Sequence, residues 1–316
     1  RTITALFVGL GSIGTRHLKN LANLCADRGW TLQADALRSD LTRPLRPGAA
    51  ELLHAQYTDL TAAPAHYDMV FITNPTSLHA EALRQVKGRG EALFIEKPIF
   101  SAEQTGLALD ELLPAGQKAY VAAPMRWCGA MLALKDRLPA LHPYCARVIC
   151  SSYLPDWRPG VDYRTVYSAR KALGGGVTID LIHEWDYLVE LFGVPEKLYN
   201  FKGTYSELEI DSDDLSVYIA KYPTLLAEVH LDYFGRGYRR SIELFCRDGS
   251  YLADFGKGTL TLPDGTVQHY EEDVNRRYER EMEYFVDYAL TGCGESCNPP
   301  ALALKVLKLT LGENVQ

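Results

Sequence analysis

Two different patterns of apolar and polar residues distinguish the two parts of the chain. Within residues 1–122, short apolar runs typical of buried strands alternate with stretches of helical spacing. The predicted strands are Ala5–Val8, Leu32–Leu37, Met69–Thr73, Ala92–Ile95 and Ala119–Ala122. The predicted helices include Thr15–Cys25, Leu78–Val86 and Ala102–Leu112. Because such alternation produces a parallel sheet covered on both faces, we expect a first domain of α/β class with a doubly wound parallel sheet.

The second pattern, within residues 123–316, consists of longer strands in which apolar and polar residues alternate. It is clearest in three segments, Leu215–Tyr222, Leu225–Tyr233 and Arg240–Cys246. We therefore expect a second domain of α+β class, built on a large, mostly antiparallel sheet with one open face. One helix is predicted over Val177–Phe192, and a terminal helix over 300–311 can pack back on the first domain.

The first strand leads directly into Gly9-x-Gly11-x-x-Gly14, and a helix follows it. Gly9 permits a tight turn, Gly11 lets backbone amides approach a pyrophosphate, and Gly14 lets the helix pack closely on the strand. The amides of Ser12 and Ile13 begin the helix, where free N–H groups and the positive end of the dipole attract phosphate. The sequence therefore predicts a dinucleotide site near residue 9.

Composition narrows the classes of partner. The 316 residues carry a formal net charge of −7, which argues against nucleic acid or an anionic membrane surface. No apolar run reaches the roughly 20 residues of a membrane helix, and nothing resembles a signal peptide, so we expect a cytoplasmic protein. Seven scattered cysteines suit free thiols in a reducing compartment, and no metal site is expected.

Lys97 stands where the fourth predicted strand ends, in the run Glu96-Lys97-Pro98. Ligands of open α/β sheets bind beyond the carboxyl ends of the strands, so we expect the amine to point toward the cofactor. A lysine in that place can polarise an oxygen or transfer a proton. An isolated Glu-Lys-Pro more often marks a surface lysine beside a turn proline, but its position relative to the glycine loop favours the functional interpretation.

Taken in order, the motifs resemble those of the Gfo/Idh/MocA oxidoreductases, which act mostly on sugars and cyclitols. The resemblance covers nearly the whole chain and rests on four motifs: Gly9-x-Gly11-x-x-Gly14-x-Arg16-His17, Asn74-Pro75-Thr76-Ser77-Leu78-His79, Glu96-Lys97-Pro98, and Gly174-Gly175-Gly176 with Asp180, His183 and Asp186. It implies a Rossmann domain, an open-faced sheet domain that contributes to substrate binding, and a nicotinamide near Lys97. It also implies cofactor-site roles for Asn74, Pro75, His79 and Glu96.

The resemblance places Asp180 and His183 near the substrate. A neutral histidine can accept the hydroxyl proton while Lys97 polarises the oxygen, or the two roles are exchanged. Because Asp180, His183 and Asp186 are spaced by three, one continuous helix would bring them to the same face. The family commonly has its histidine four residues after the aspartate, so either His183 or Glu184 fills the catalytic position.

Cofactor preference depends on the end of the second strand. NAD-specific sites usually have an acid there for the ribose 2′-hydroxyl, whereas this chain has Leu37-Arg38-Ser39-Asp40. Arg38 and Ser39 can hold a 2′-phosphate, which favours NADP. In the alternative, Asp40 binds the ribose of NAD and the nearby arginines are solvated.

Residues 151–173 form a long segment rich in aromatic and cationic groups. Aromatic faces stack on sugar rings and cations suit a carboxylate or phosphate, so we expect Trp157, Tyr163 and Arg170 to bind substrate. By resemblance Arg126 also reaches the substrate, although the asparagine that many relatives have two residues before it is missing. The alternative for the segment is an oligomer contact, since such relatives are commonly dimers or tetramers assembled through the second sheet.

The leading hypothesis is an NAD(P)-dependent oxidoreductase that interconverts a hydroxyl and a ketone on a sugar, including acidic or nucleotide-linked sugars. A glycosidase that keeps NAD bound and recycles the hydride is a second hypothesis. A non-catalytic dinucleotide sensor is a third, and the combination of Lys97, Asp180 and His183 argues against it.

Overall fold

The computed structural model describes residues 1–315 and divides into two compact units. The first unit contains residues 1–123 and 278–304, and the second contains 124–277 together with the residues from 305 onward. The sequence prediction kept residues 123–316 in one domain. In the structure, the segment 278–304 belongs with the first unit, because its apolar side chains pack into the core of that unit.

The first unit contains a six-stranded sheet. Its strands are β1 (Thr2–Val8), β2 (Thr31–Leu37), β3 (Leu53–Tyr57), β4 (Tyr67–Ile72), β5 (Gly90–Ile95) and β6 (Lys118–Val121). All five pairings are parallel, in the order β3-β2-β1-β4-β5-β6. The predicted doubly wound parallel sheet is confirmed. The strand order reverses between β1 and β4, and open α/β sheets bind ligands at such a switch point.

The helices of the first unit differ from prediction at one place. Helix α1 (Ser12–Asp27) and helix α2 (His79–Gln85) lie where helices are predicted, but a continuous helix over Ala102–Leu112 is wrong. That stretch contains a 3₁₀ turn, Ala102–Gln104, and a short helix α3 (Leu109–Leu112). Reciprocal capping between Ser101 and Gln104 closes the first turn, and the chain does not continue it as an α-helix.

The returning segment completes the core of the first unit. It carries most of α7 (Asn275–Thr291), whose apolar side chains join the sheet's own buried residues. The Phe285 ring lies 5.4 Å from that of Phe71 and 5.2 Å from that of Phe94, both edge-on. The fully buried Glu281 accepts a hydrogen bond from the Tyr120 hydroxyl at 2.8 Å. The α7 segment is therefore part of this hydrophobic core.

The second unit is built on an eight-stranded sheet. Its strands are β7 (Cys145–Tyr153), β8 (Lys197–Gly203), β9 (Leu215–Lys221), β10 (Leu226–Asp232), β11 (Phe234–Cys246), β12 (Gly249–Asp254), β13 (Thr259–Thr261) and β14 (Val267–His269). The order is β14-β13-β12-β11-β7-β10-β9-β8, and only the β7–β10 pair is parallel. The prediction of a mostly antiparallel sheet is confirmed.

Helices accompany one face of the second sheet. They are α4 (Gly129–Arg137), α5 (Val177–Asp180), α6 (His183–Phe192) and part of α8 (Pro300–Thr310). The Trp185 ring of α6 packs edge-on at 5.2 Å against Tyr218 of β9, and both side chains are fully buried. On alternate positions of the outer strands, Tyr199, Phe201 and Ile219 are exposed. This sheet therefore has one covered face and one open face, as its alternating sequence indicates.

Helix length and cysteine state add two facts about the described residues. Their longest helix, α7, has 17 residues, and none of their helices is long and apolar enough to cross a membrane. Among the described residues, none of the seven cysteines is in a disulfide.

Candidate active site

The glycine loop after β1 contains two glycines that the protein's own packing requires. Gly9 has a φ of 89°, and a Cβ atom there would lie 2.8 Å from the Asn74 Cα. A Cβ atom on Gly14 would lie 2.5 Å from the Gly9 carbonyl oxygen and 2.8 Å from Thr73 Oγ1. Thr73 fixes the loop, because its hydroxyl donates to the Gly9 carbonyl at 2.6 Å. These contacts hold the ends of β1 and β4 against the start of α1.

Gly11 differs from Gly9 and Gly14, because the space that its side chain would occupy is empty. A Cβ atom there would meet no described atom within 4 Å. Gly11 is the N-cap of the 16-residue α1, which has no side-chain cap and no acid in its first turn. The first-turn amides, including those of Ser12 and Ile13, therefore combine with the positive end of the helix dipole beside free volume. This arrangement fits the pyrophosphate of a dinucleotide.

The loop after β4 carries three predicted cofactor residues. Asn74 has a buried side-chain oxygen without a hydrogen-bond partner among the described residues, and Pro75 is exposed. His79 is fully buried, with its Nε2 3.1 Å from the Asn74 carbonyl and its Nδ1 3.1 Å from the Ile99 carbonyl. Burial lowers the pKa of His79, so the ring is neutral near pH 7. His79 thus joins two loops, while Asn74 and Pro75 offer surface to a ligand.

The end of β2 presents a positive group in a fixed position. The Arg38 guanidinium donates to Gln56 Oε1 at 2.7 Å and to the carbonyl oxygen of Arg43. Asp40 turns into its own loop, where its carboxylate accepts from the Thr42 amide at 2.8 Å and from the Thr42 hydroxyl at 2.6 Å. The Thr42 bonds are the main reason that the pKa of Asp40 is below its ordinary value. Ser39, between the two, is exposed.

Lys97 follows directly after β5, beside a buried carboxylate. Glu96 is 7% exposed, and its Oε1 lies 2.6 Å from Nε2 of the fully buried His17. The second oxygen of Glu96 accepts the Lys97 backbone N–H at 3.0 Å. Lys97 itself is half-buried and precedes Pro98 through a cis peptide bond. The carboxyl end of β5 therefore holds the lysine that the strand order predicts there.

In the second unit, the glycine run begins the segment that carries Asp180 and His183. A Cβ atom on Gly175 would collide with the Tyr167 carbonyl oxygen, and one on Gly176 would collide with the Asp213 carboxylate. Gly176 also has a φ of 133°. Asp213 accepts the Thr178 amide at 2.9 Å and so caps the first turn of α5. Gly175 and Gly176 therefore fix where this helical segment starts.

The predicted single helix over Val177–Phe192 is wrong, because the chain breaks after Asp180. Leu181 has φ −100° and ψ 31°, outside the helical region, and α6 starts only at His183. Around the break, the amides of Ile182 and Glu184 bond three residues back instead of four. Asp180 and His183 lie on two different helices, so their predicted common face on one helix is also wrong.

Asp180 is held by aromatic hydroxyls. The Tyr233 hydroxyl donates to Asp180 Oδ2 at 2.5 Å, and Tyr167 also lies close enough to feel the carboxylate charge. Burial, and next the charge of Asp180, raise the pKa of Tyr233 well above its ordinary value, so its phenol stays protonated and donates. Trp157 packs edge-on against Tyr233 at 5.2 Å. A tyrosine at the end of a strand thus fixes the predicted catalytic carboxylate.

Two arginines form ion pairs with acidic residues of α6. Glu184 is fully buried and accepts from the Arg240 guanidinium at 2.6 and 3.1 Å, whereas His183 beside it is half-buried. Arg126 is 3% exposed and contacts Glu190 at 2.9 Å and Asp186 at 3.5 Å. Glu184 is therefore engaged in an ion pair with Arg240. The Arg126 guanidinium, which was predicted to reach the substrate, is buried against Glu190 and Asp186.

The long segment before the glycine run exposes some of its predicted substrate residues. Trp157 is 40% exposed and donates from Nε1 to Ser152 Oγ at 3.0 Å. Tyr163 is half-buried, and its hydroxyl accepts the Glu209 amide at 3.1 Å. Arg170 is exposed. The structure brings Trp157 to the Tyr233–Asp180 pair, while Tyr163 is tied to a neighbouring loop.

Sequence reasoning missed two residues of this site, Tyr233 and Arg240. Tyr233 directly follows β10 and Arg240 lies on β11, yet their partners are 53 and 56 positions away along the chain. Strand periodicity shows which residues face the covered side but not which helix residue each one meets. The buried His17 is a third, quoted only as part of a motif, and its contact with Glu96 spans 79 positions.

The geometry of the first unit is that of a Rossmann-type fold with a candidate dinucleotide site. Residues 3–122 match the model of the GFO_IDH_MocA family, described as "Oxidoreductase family, NAD-binding Rossmann fold". Over these residues the chain is similar to this family of oxidoreductases, as its motifs suggest.

Individual relatives are similar over much of the chain. The "Uncharacterized oxidoreductase YrbE" of Bacillus subtilis is 24% identical over 308 residues, which cover 91% of this chain and 86% of that protein. An inositol 2-dehydrogenase of Rhizobium meliloti is 26% identical over 200 residues, 61% of this chain and 56% of that protein. Among solved structures, a levoglucosan dehydrogenase in complex with NADH has a TM-score of 0.81 at 15% identity, covering 99% of this chain and 96% of that one. The structural likeness supports the fold.

Proposed function

We propose that this protein is an NADP-dependent oxidoreductase that transfers hydride between the nicotinamide and a secondary hydroxyl or ketone of a sugar derivative. The observation that carries the proposal is the first unit's geometry. An uncapped helix N-terminus beside the free volume at Gly11 follows β1, and Lys97 follows β5 at the carboxyl edge of the same sheet. In open α/β sheets this edge is where a ligand binds.

The chain's own residues supply the proton chemistry. Oxidation of a secondary alcohol needs an acceptor for the hydroxyl proton, and we assign this role to the imidazole of His183. We assign the polarisation of the reacting oxygen to Lys97, and a positioning role within the second unit to Asp180, which Tyr233 holds. Glu184 is excluded from the base role in this proposal because Arg240 neutralises it in a buried pair. Bound NADP would supply the hydride acceptor.

The preference for NADP over NAD rests on the residues after β2. Arg38 is held by Gln56 in a position to bind a 2′-phosphate, and Ser39 can add a hydroxyl donor. Asp40, the residue that would bind an unphosphorylated ribose, is engaged by Thr42. The levoglucosan dehydrogenase structure holds NADH, so the preference has to be measured for this chain.

The substrate class follows from the segment before the glycine run. An exposed indole at Trp157 suits the face of a sugar ring, and the exposed Arg170 suits a carboxylate or phosphate on it. Inositol and levoglucosan, the substrates in the names of two relatives, are both rings with several hydroxyl groups. We therefore propose a polyhydroxylated ring, with an acidic or nucleotide-linked sugar as the first candidates.

A homo-oligomer formed through the open face of the second sheet is also proposed. Phe201 is 73% exposed and Tyr199 53% exposed, and Ile219 lies on the neighbouring strand at the position paired with Tyr199. Such a contiguous apolar surface on a sheet is typical of a protein contact. Sedimentation of the protein and of a Phe201→Asp variant would test it, because the variant should dissociate.

The test of the function begins with calorimetry of the protein against NADP and NAD. Polyols, sugar acids and nucleotide sugars are then screened with the bound nucleotide, and reduced nicotinamide is followed by absorbance. We expect turnover that Lys97→Ala abolishes while NADPH binding stays near normal. Unchanged activity in that variant would remove Lys97 from the mechanism. Glycoside cleavage with copurified NAD and no net reduced nucleotide would indicate the glycosidase instead.

A further inference from the structure

A buried histidine–glutamate pair links the phosphate-binding helix to the strand end that carries Lys97. His17 belongs to α1, five residues after the first residue of that helix, and is 0% exposed. Its Nε2 lies 2.6 Å from Oε1 of Glu96, and Oε2 of Glu96 accepts the Lys97 backbone N–H at 3.0 Å. One carboxylate therefore contacts both the helix and the peptide group of the lysine.

The surroundings of the pair orient it. The His17 ring packs 4.7 Å from the Phe94 ring, and Tyr278 lies edge-on at 6.1 Å. Its Nδ1 is buried and has no hydrogen-bond partner among the described residues, so the polar contact of this ring is directed to Glu96 alone. A buried nitrogen without a hydrogen bond costs free energy.

The carboxylate of the pair is ionised. Burial by itself would raise the pKa of Glu96, but the hydrogen bond from His17, followed by the charges of His17 and Lys97, outweighs burial and leaves the pKa below its ordinary value. Both oxygens of an anionic carboxylate are acceptors, so Glu96 can hold the imidazole and the lysine peptide at the same time.

We propose that His17 and Glu96 are positioning residues that fix Lys97 relative to the amino end of α1, an inference that rests on the proposed function. A helix is rigid over this length, since five residues span about 7.5 Å at 1.5 Å each. A dinucleotide phosphate bound at Ser12 would thus lie on the same rigid helix that, through His17 and Glu96, holds the backbone of Lys97. The pair does not touch substrate, and it acts through the placement of Lys97.

The alternative is a purely structural cross-link between α1 and β5. In that case loss of the pair lowers stability and changes nothing about the amine. The two interpretations differ in the chemical environment of Lys97, which can be measured without turnover.

The experiment compares His17→Leu and Glu96→Gln with wild type. Glu96→Gln keeps the shape and the acceptor for the Lys97 amide, so it remains usable if the leucine variant does not fold. The matched control is His269→Gln, which breaks an exposed histidine–glutamate pair of 2.8 Å with Glu271. The primary readout is site-resolved acetylation of Lys97 by mass spectrometry, relative to the 78% exposed Lys257 side chain. NADPH affinity, kcat and KM are measured on the same samples.

We expect the Lys97 to Lys257 acetylation ratio to change severalfold in both pair variants and to stay unchanged in His269→Gln. A misplaced catalytic group can cost up to about a hundredfold in rate, so we expect kcat to fall about tenfold or more with KM little changed. An unchanged acetylation ratio together with reduced thermal stability would overturn the proposal. If wild type transfers no hydride to any substrate, the proposed function fails, and the acetylation ratio still decides the role of the pair.

Discussion

Gly11 and Gly14 are close in sequence but should respond in opposite ways to the same substitution. At Gly14, an added methyl group lies 2.5 Å from the Gly9 carbonyl oxygen and 2.8 Å from Thr73 Oγ1, which are themselves hydrogen-bonded. Overpacking of this kind costs about 1–3 kcal/mol, so Gly14→Ala should lower the free energy of unfolding by that amount.

At Gly11, the added methyl group meets no described atom within 4 Å, and the φ of −73° is available to alanine. Loss of a preferred N-cap residue costs at most about 1 kcal/mol. Alanine also lowers the conformational entropy of the unfolded chain, which stabilises the folded protein by about 0.4–1 kcal/mol. The net change in the free energy of unfolding should therefore be small. The methyl group occupies the proposed phosphate space, and we expect the Kd for NADP to rise at least about tenfold, which is about 1.4 kcal/mol.

Urea unfolding gives the stability of both variants, and calorimetric titration with NADP gives their affinity. We expect a stable Gly11→Ala variant that binds NADP poorly and a destabilised Gly14→Ala variant. If Gly11→Ala binds NADP as tightly as wild type, the free volume at Gly11 is not the phosphate site. If Gly14→Ala is as stable as wild type, the contacts around Thr73 do not limit the loop.

Three further substitutions test the remaining groups. Arg38→Ala should weaken NADP binding about tenfold or more and spare NAD, and an equal loss for both in fluorescence titrations would refute 2′-phosphate recognition. Tyr233→Phe removes the 2.5 Å hydrogen bond to Asp180, so kcat should fall while NADPH affinity holds, and an unchanged kcat would show that the carboxylate needs no such anchor. Arg240→Met leaves Glu184 buried and unpaired and should cost about 3–5 kcal/mol in urea unfolding, most of which the double variant Glu184→Met/Arg240→Met should recover.

The fold of the first unit was largely predictable because its central strands are short, continuous apolar runs. The exception is β3, Leu53–Tyr57, whose alternate residues are exposed and whose sequence therefore lacks such a run. Helix α7 was missed for a related reason, since its first half is almost entirely charged and polar. Its apolar stripe has meaning only once the sheet it covers is known.

The candidate site shows where local pattern stops being informative. Apolar spacing over Val177–Phe192 is that of one helix, and the break after Asp180 leaves that spacing unchanged. The contacts on either side of the break are long-range: Tyr233 holds Asp180, and Arg240 holds Glu184. Pairs formed across 53 and 56 positions depend on strand register, which periodicity does not specify.

The return of residues 278–304 to the first unit has a consequence for dissection of the protein. A fragment ending at Ala123 would carry all six parallel strands yet expose Phe71 and Phe94, because Phe285 would be missing. Nucleotide binding could therefore not be isolated by a single cut. Supplying residues 278–304 as a separate peptide should restore the contact of Phe285 with Phe71 and Phe94. The first unit is therefore a candidate for reconstitution from two fragments.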